Sequence, residues 1–201
     1  MDYSFEKELI SEGFNMVCGI DEAGRGPLAG PVCAAAVILP TDIEIEGLND
    51  SKKLTEKKRE ALFDVVKEKA LAYSIVMIDE KTIDEINILQ ATLLAMRRAV
   101  ETLEIKPDAA LIDGNQKPGL SIEERTVVKG DAKSMSIAAA SILAKVSRDR
   151  FMLELDEKYP QYQFAKHKGY GTKLHYEMLD QYGPCPQHRI TFLKKWEAKR
   201  T

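Results

Sequence analysis

The 201-residue chain has few residues that make covalent or metal cross-links. Its three cysteines, Cys18, Cys33 and Cys185, are odd in number and widely scattered. They outline no disulfide framework and suit a reducing compartment. Cys185 and His188 have a ligand-like spacing, but one pair cannot close a zinc site, so the thiols are read as buried or incidental. A chain this long buries roughly 70% of its unfolded surface and needs neither bridge nor structural metal. Long apolar runs are missing as well. The longest, Val32 to Leu39, has eight residues, whereas a membrane span needs about 20. Met1 to Glu8 is acidic and lacks a signal-peptide core. These absences lead us to expect a cytoplasmic protein with no membrane partner. No repeat and no Pro/Gly/Ser linker divides the chain, and 44% hydrophobic content excludes wholesale disorder. A single domain, acting as a monomer, is expected.

Net positive charge is also lacking. The formal charge is −3, which taken alone argues mildly against a nucleic-acid partner. The charge is unevenly distributed, however. Residues 1–131 carry 16 Lys+Arg against 25 Asp+Glu, net −9, and residues 132–201 carry 13 against 7, net +6. An acidic part and a basic part share one chain, and that asymmetry needs a cause.

Apolar periodicity predicts strands and helices in alternation. Val17 to Ile20 is a short strand, a turn rich in glycine and proline fills 23–31, and Val32 to Leu39 is a buried strand. Thr55 caps a charged helix whose inner stripe is Ala61, Leu62, Val65 and Val66. Ala72 to Ile78 is a strand. Ile83, Ile86, Leu89, Leu93 and Met96 mark a helix over Thr82 to Leu103, broken by Pro107. Short strands follow at Ala109 to Ile112 and Thr126 to Val128. Ser134 opens the longest helix, which runs to about Lys158, and another helix is expected near Thr172 to Gln181. The pattern implies an α/β fold: a mixed sheet flanked by helices, with a helical C-terminal portion. Residues 1–158 form its core and 159–201 the C-terminal segment.

Asp21-Glu22, Asp113 and Asp131 each follow a short strand and lie near a glycine. Sites in open α/β sheets form at strand ends. Side by side, these ends would gather four carboxylates, which repel unless cations neutralise them. Oxygen ligands select Mg²⁺ or Mn²⁺, and the matching chemistry is two-metal hydrolysis of a phosphodiester. Asp-Gly is also a common turn and Asp a common cap, so spacing alone leaves both readings open.

The wording of the motifs goes further. Gly19-Ile-Asp21-Glu22-Ala-Gly24-Arg25-Gly26-Pro-Leu-Ala-Gly30-Pro31 is followed by Asp50-Ser-Lys52-Lys53-Leu54, Asp113-Gly114 and Lys129-Gly-Asp131-Ala-Lys-Ser134. Ala139-Ala-Ser141-Ile-Leu-Ala-Lys145-Val-Ser-Arg148 and Lys168-Gly-Tyr170-Gly-Thr172 complete the series. In this order they closely resemble the type 2 ribonuclease H family, in its bacterial HII branch, from about Val17 to Phe192. The intact Gly24-Arg25-Gly26 and the sixteen residues before Val17 fit that branch.

The resemblance implies an RNase H-like fold and an endoribonuclease. Its substrates would be the RNA strand of RNA–DNA hybrids and single ribonucleotides in duplex DNA, cut on their 5′ side to leave 3′-hydroxyl and 5′-phosphate ends. It carries metal binding and catalysis onto Asp21, Glu22, Asp113 and Asp131, with two Mg²⁺ or Mn²⁺ ions expected when substrate is bound. It assigns Gly24, Arg25 and Gly26 to the ribose and phosphates at the cut, where glycine permits close backbone approach. It assigns Tyr170 to the sugar of the following nucleotide. Lys52 becomes a phosphate contact. Ser141, Lys145 and Arg148, on one helix face by spacing, become a phosphate-facing stripe. Two rival readings remain: a non-catalytic module with this fold, and a hydrolase of small phosphates. The complete acid set speaks against the first and the basic C-terminal part against the second.

Overall fold

Five strands form one sheet in the computed structural model, which describes residues 1–198. They are β1 (Val17–Ala23), β2 (Val32–Ile38), β3 (Ala72–Ile78), β4 (Ala109–Asp113) and β5 (Glu123–Val127), in spatial order β3-β2-β1-β4-β5. β2 pairs antiparallel with β1 and β3, while β1–β4 and β4–β5 are parallel. Seven helices accompany them among the described residues: α1 (Ser4–Ser11), α2 (Glu56–Lys69), α3 (Glu80–Glu101), α4 (Met135–Lys158), α5 (Phe164–His167), α6 (Lys173–Tyr182) and α7 (Ile190–Glu197). This is the mixed, helix-flanked sheet expected from the sequence. Residues 199–201 of the expected C-terminal segment lie outside the described residues.

β2 shows why its run is apolar throughout. Cys33, Ala35 and Val37 pack with α2 and α4 on one face, while Val32, Ala34, Ala36 and Ile38 pack with α3 on the other. A strand covered on both faces has no solvent side to alternate toward. α4 is equally enclosed at its start, where Met135 to Ala144 are all buried. Ser134 caps it by accepting from the Ile137 N–H at 3.2 Å. Helix and sheet approach very closely at Gly19, where a Cβ would lie 2.2 Å from the Ser136 carbonyl carbon. Only glycine fits there.

The structure departs from the sequence expectations in four places. β1 continues through Asp21 and Glu22 to Ala23, because the ladder to β2 extends through Glu22↔Ala34 and Ala23↔Cys33. β5 runs from Glu123 to Val127, not from Thr126 to Val128, because this edge strand opens on polar residues that belong to no apolar run. α3 is interrupted at Asn87 (φ 67°, ψ 164°), whose Oδ1 accepts from the Gln90 N–H and caps the second part. The apolar spacing continues across this break, so periodicity cannot reveal it. α1, α5 and α7 have no counterpart among the expected elements. α1 docks through buried Glu6, whose Oε1 accepts from Ser134 Oγ at 2.7 Å and the Ser136 N–H at 3.0 Å.

The C-terminal helices hold the loop between β1 and β2. Ala29 is buried with Met152, Tyr162, Phe164 and Cys185, and Leu28 with Leu179 and Leu193. The Leu28 N–H donates to Gly169, the Gly30 N–H to Gln187, and the Arg189 N–H to Leu28. The basic end of the chain is thereby fastened to the glycine-rich loop near its acidic beginning.

Candidate active site

Parallel pairing places Ile20 beside Ile112, so the next residues, Asp21 inside β1 and Asp113 at the end of β4, lie on neighbouring strands. Side chains alternate along a strand. Leu111 and Val17 pack with Ile137 of α4, whereas Ile20 and Ile112 pack with the α3 residues. Asp21 and Asp113 therefore project on the α4 side. Asp131 arrives from the turn after β5. The Asp113 Oδ1 accepts from the Gly130 N–H at 2.6 Å and the Asp131 N–H at 3.3 Å, which fixes that turn beside it. The carboxylate oxygens of Asp21, Asp113 and Asp131 lie within 4.8 Å of one another.

Glu22 falls outside this close group, although four acids together were expected. The pleat turns it to the opposite side from Asp21, and its carboxylate pairs with Arg25 at 3.5 Å. It remains close enough to act electrostatically. Burial first, then the charges of Glu22 and Asp113, push Asp21 well above the ordinary carboxylate range. Burial, opposed by Arg25 and reinforced by Asp113, raises Glu22. Burial, then Asp113 and Asp50, raises Asp131.

The protein answers this charge weakly. Lys52 Nζ stands 3.6 Å from Asp131 and Arg25 stands 3.5 Å from Glu22, both from exposed side chains. An all-oxygen group of three carboxylates, with Asp21 only 3% exposed, is the donor set of a hard divalent cation. The residues present fit Mg²⁺ or Mn²⁺.

Beside the acids opens a cleft of about 220 Å³, lined by Glu22 to Gly26, Ser51, Lys52, Lys145 and Tyr170. Tyr170 is 43% exposed and its ring stands over Gly26. Lys52 belongs to a short turn capped by Asp50, which accepts from the Lys52 N–H at 2.9 Å. Lys145 reaches the cleft while donating to Asp149 at 2.7 Å. Ser141 is buried behind it, 2.7 Å from the Ser51 hydroxyl, and its own hydroxyl lowers Asp21 against the other influences.

Arg148 requires a correction. It shares a helix face with Ser141 and Lys145, but it is 1% exposed and cannot contribute to a duplex-facing stripe. Its guanidinium donates to the carbonyls of Pro31 at 2.9 Å, Lys168 at 3.0 Å and Ala29 at 3.1 Å. Helical spacing gave the direction of the side chain correctly, but not the loop that covers it. Sequence reasoning missed Arg189 altogether. It is fully buried and donates to the carbonyls of Gly24, Arg25 and Gly30. An arginine preceding a short amphipathic helix carries no pattern that would mark it.

Cys185 and His188 do touch, with Sγ 3.2 Å from Nδ1. They join His175 and His167 in a buried cluster under the Tyr170 loop. No metal-ligating group forms there among the described residues. No helix is long and apolar enough to cross a membrane among those residues.

Comparison with known proteins agrees with this geometry. The family model described as Ribonuclease HII matches residues 18–196. A ribonuclease HII of Caldicellulosiruptor bescii is 58% identical over 192 residues, covering 96% of this chain and 93% of the relative. The ribonuclease H2 crystal structure from Pyrococcus horikoshii superposes with a TM-score of 0.73 at 31% identity, covering 88% of this chain and 93% of that one. A Bst-RNase HIII structure in complex with Mn²⁺ shares the fold, with a TM-score of 0.67 at 18% identity over 84% of this chain and 63% of its own.

Proposed function

The chain belongs to the ribonuclease HII family and is a divalent-metal-dependent endonuclease acting on the RNA of RNA–DNA hybrids; from that premise we propose that it also cuts 5′ to single ribonucleotides embedded in duplex DNA. The observation that carries this reading is the acid group Asp21, Asp113 and Asp131 standing beside the cleft lined by Glu22, Gly24 to Gly26, Lys52 and Tyr170, with Lys52 bridging from the cleft to Asp131.

Asp21, Asp113 and Asp131 would hold the ions, with Glu22 completing the site from the edge of the cleft. Two bound cations would activate water on one side of the scissile phosphate and neutralise the leaving 3′ oxygen on the other. The remaining tasks fall to the protein. Gly24, Arg25 and Gly26 present backbone to the ribose whose 2′-hydroxyl distinguishes RNA from DNA. Tyr170, facing them across the cleft, packs against the next sugar and favours deoxyribose there. Two adjacent sugars are thus tested together, which is what a lone ribonucleotide in DNA requires. Lys52 and Lys145 contact phosphates flanking the cut, and Ser141 orients Asp21 from behind. The segment from residue 159 onward contributes substrate-binding surface, and the enzyme acts as a monomer in the cytoplasm.

The test is a duplex DNA with one ribonucleotide, incubated with Mg²⁺, Mn²⁺ or EDTA. The expected result is a metal-dependent cut 5′ to the ribonucleotide, leaving a 3′-hydroxyl and a 5′-phosphate. Cleavage of a continuous hybrid but not of this duplex would refute the single-ribonucleotide reading.

A further inference from the structure

Two fully buried arginines converge on the loop between β1 and β2. Arg189 donates to Gly24 O at 2.6 Å, Arg25 O at 3.0 Å and Gly30 O at 2.7 and 2.9 Å. Arg148 takes Ala29 O and Pro31 O of the same loop and, with its third nitrogen, Lys168 O of the loop bearing Tyr170. Five carbonyls of one turn therefore point inward. A planar trans peptide directs its C=O and the following N–H in opposite directions. Holding Gly24 O and Arg25 O inward turns the N–H groups of Arg25 and Gly26 outward, toward the cleft they line.

Other features support a built arrangement. Gly24 has φ +94°, and a Cβ there would lie 2.0 Å from Arg148 Nε, so the loop is moulded onto the guanidinium. Arg189 is anchored by the start of α7, where Asp84 of α3 accepts from the N–H groups of Ile190 at 2.8 Å and Thr191 at 3.0 Å. Glu80, 6% exposed with Oε1 unpaired, supplies negative charge to both arginines. A planar fork with fixed donors suits such a task, whereas an ammonium group would not reproduce it.

We infer that Arg189, with Arg148, is a positioning residue for ribose recognition: it sets the outward N–H groups of Arg25 and Gly26 and locks their loop to the loop carrying Tyr170. This rests on the reading of Gly24 to Gly26 as the ribose-contacting loop.

The experiment compares two duplexes that differ at one sugar, ribose against 2′-fluoro-2′-deoxyribose, in wild type and in Arg189→Gln, Arg189→Lys and Gly26→Pro. The ratio of kcat/KM values is the critical readout, because it is independent of the folded fraction. A merely structural arginine would lower the melting temperature and the active fraction but leave the ratio unchanged. The inference expects Arg189→Gln to lose about tenfold or more in kcat on the ribose duplex, with KM within about threefold, since a 1 Å misplacement costs up to 10²-fold. The ribose preference should fall with it, and Arg189→Lys should recover part of both. An unchanged preference in Arg189→Gln would overturn the inference. An unchanged preference in Gly26→Pro, which has no backbone N–H at that position, would instead overturn the reading of the loop itself. If the Arg189 variants do not fold, NMR of the unaltered protein decides. Two slowly exchanging arginine Nε–H signals that shift when a non-cleavable ribonucleotide duplex binds are expected, and their absence refutes the clamp.

Discussion

Acidification should destabilise this protein through the three histidines beneath the Tyr170 loop. Their hydrogen bonds assign every proton. The Gly169 N–H donates to His167 Nδ1, so the other ring nitrogen of His167 donates to Tyr162 O at 2.8 Å. His175 Nδ1 donates to Tyr170 O at 3.0 Å, which leaves Nε2 bare to accept from His188 Nε2 at 3.0 Å. His188 Nδ1 is then bare and accepts from the Cys185 N–H at 3.0 Å. All three rings are neutral, and an added proton on His175 would set two N–H groups against each other. Burial first, and then nearby histidine, push His175 and His188 down to about 4, and burial lowers His167.

The sign follows from linkage. These folded-state values lie below the unfolded value of about 6.5, so the unfolded chain binds more protons as pH falls. The stability contribution is full above about pH 6.5 and is lost as pH falls toward 4. For His175 or His188 the drop from about 6.5 to about 4 corresponds to about 3 kcal/mol at 1.36 kcal/mol per unit. The two share one hydrogen bond, so their contributions do not simply add. The raised acids of the active site act in the opposite direction, and a difference measurement removes them. Urea unfolding of wild type and His175→Gln, from pH 7.5 to 5 in EDTA, should give slopes differing by about 1 kcal/mol per pH unit, steeper in wild type. Equal slopes, or a steeper variant, would refute the neutral relay.

Three further outcomes follow from the geometry. Asp113→Asn keeps an Oδ1 that can accept from Gly130 and Asp131 but removes the charge; hybrid binding in a gel-shift assay should persist while kcat falls by on the order of 10²–10³. Gly19→Ala forces a Cβ to within 2.2 Å of α4 backbone, at a cost of about 3 kcal/mol, and calorimetry should find the melting temperature lower by about 6–12 °C. Lys52→Ala should flatten the dependence of log Kd on log salt for a duplex by about 0.9 if it contacts one phosphate, and leave the slope unchanged if it only balances Asp131.

Much of the fold was legible in the chain because local signals agreed with the global result. The unbroken apolar run of β2 meant cover on both faces, and Ser134 before an apolar stretch meant a capped helix. The acids were legible as strand-end residues, and the resemblance supplied their roles. The rest depended on tertiary proximity. Asn87 tolerates positive φ and caps helices well, but the apolar stripe of α3 runs on through it and masks that local signal. Arg148 lies on the helix face expected, but what that face meets is a loop from residues 29–31, more than a hundred positions away. Arg189 and the histidines gather only because the C-terminal helices wrap back over that loop. Buried charge of this kind has no period along the sequence.

The register of β1 against β4 bears on which lengths this chain can vary. Asp21 and Asp113 meet because Ile20 pairs with Ile112 and both strands share one pleat. One residue inserted between Val17 and Asp21, or between Ala109 and Asp113, would turn the acid beyond it onto the α3 side, exchanging a carboxylate for an apolar side chain at the site. Insertions at 40–50 or 114–122 would leave this pairing intact. The spans from Val17 and from Ala109 to their acids are therefore expected to be fixed in length, with natural or engineered additions tolerated only in the loops outside them.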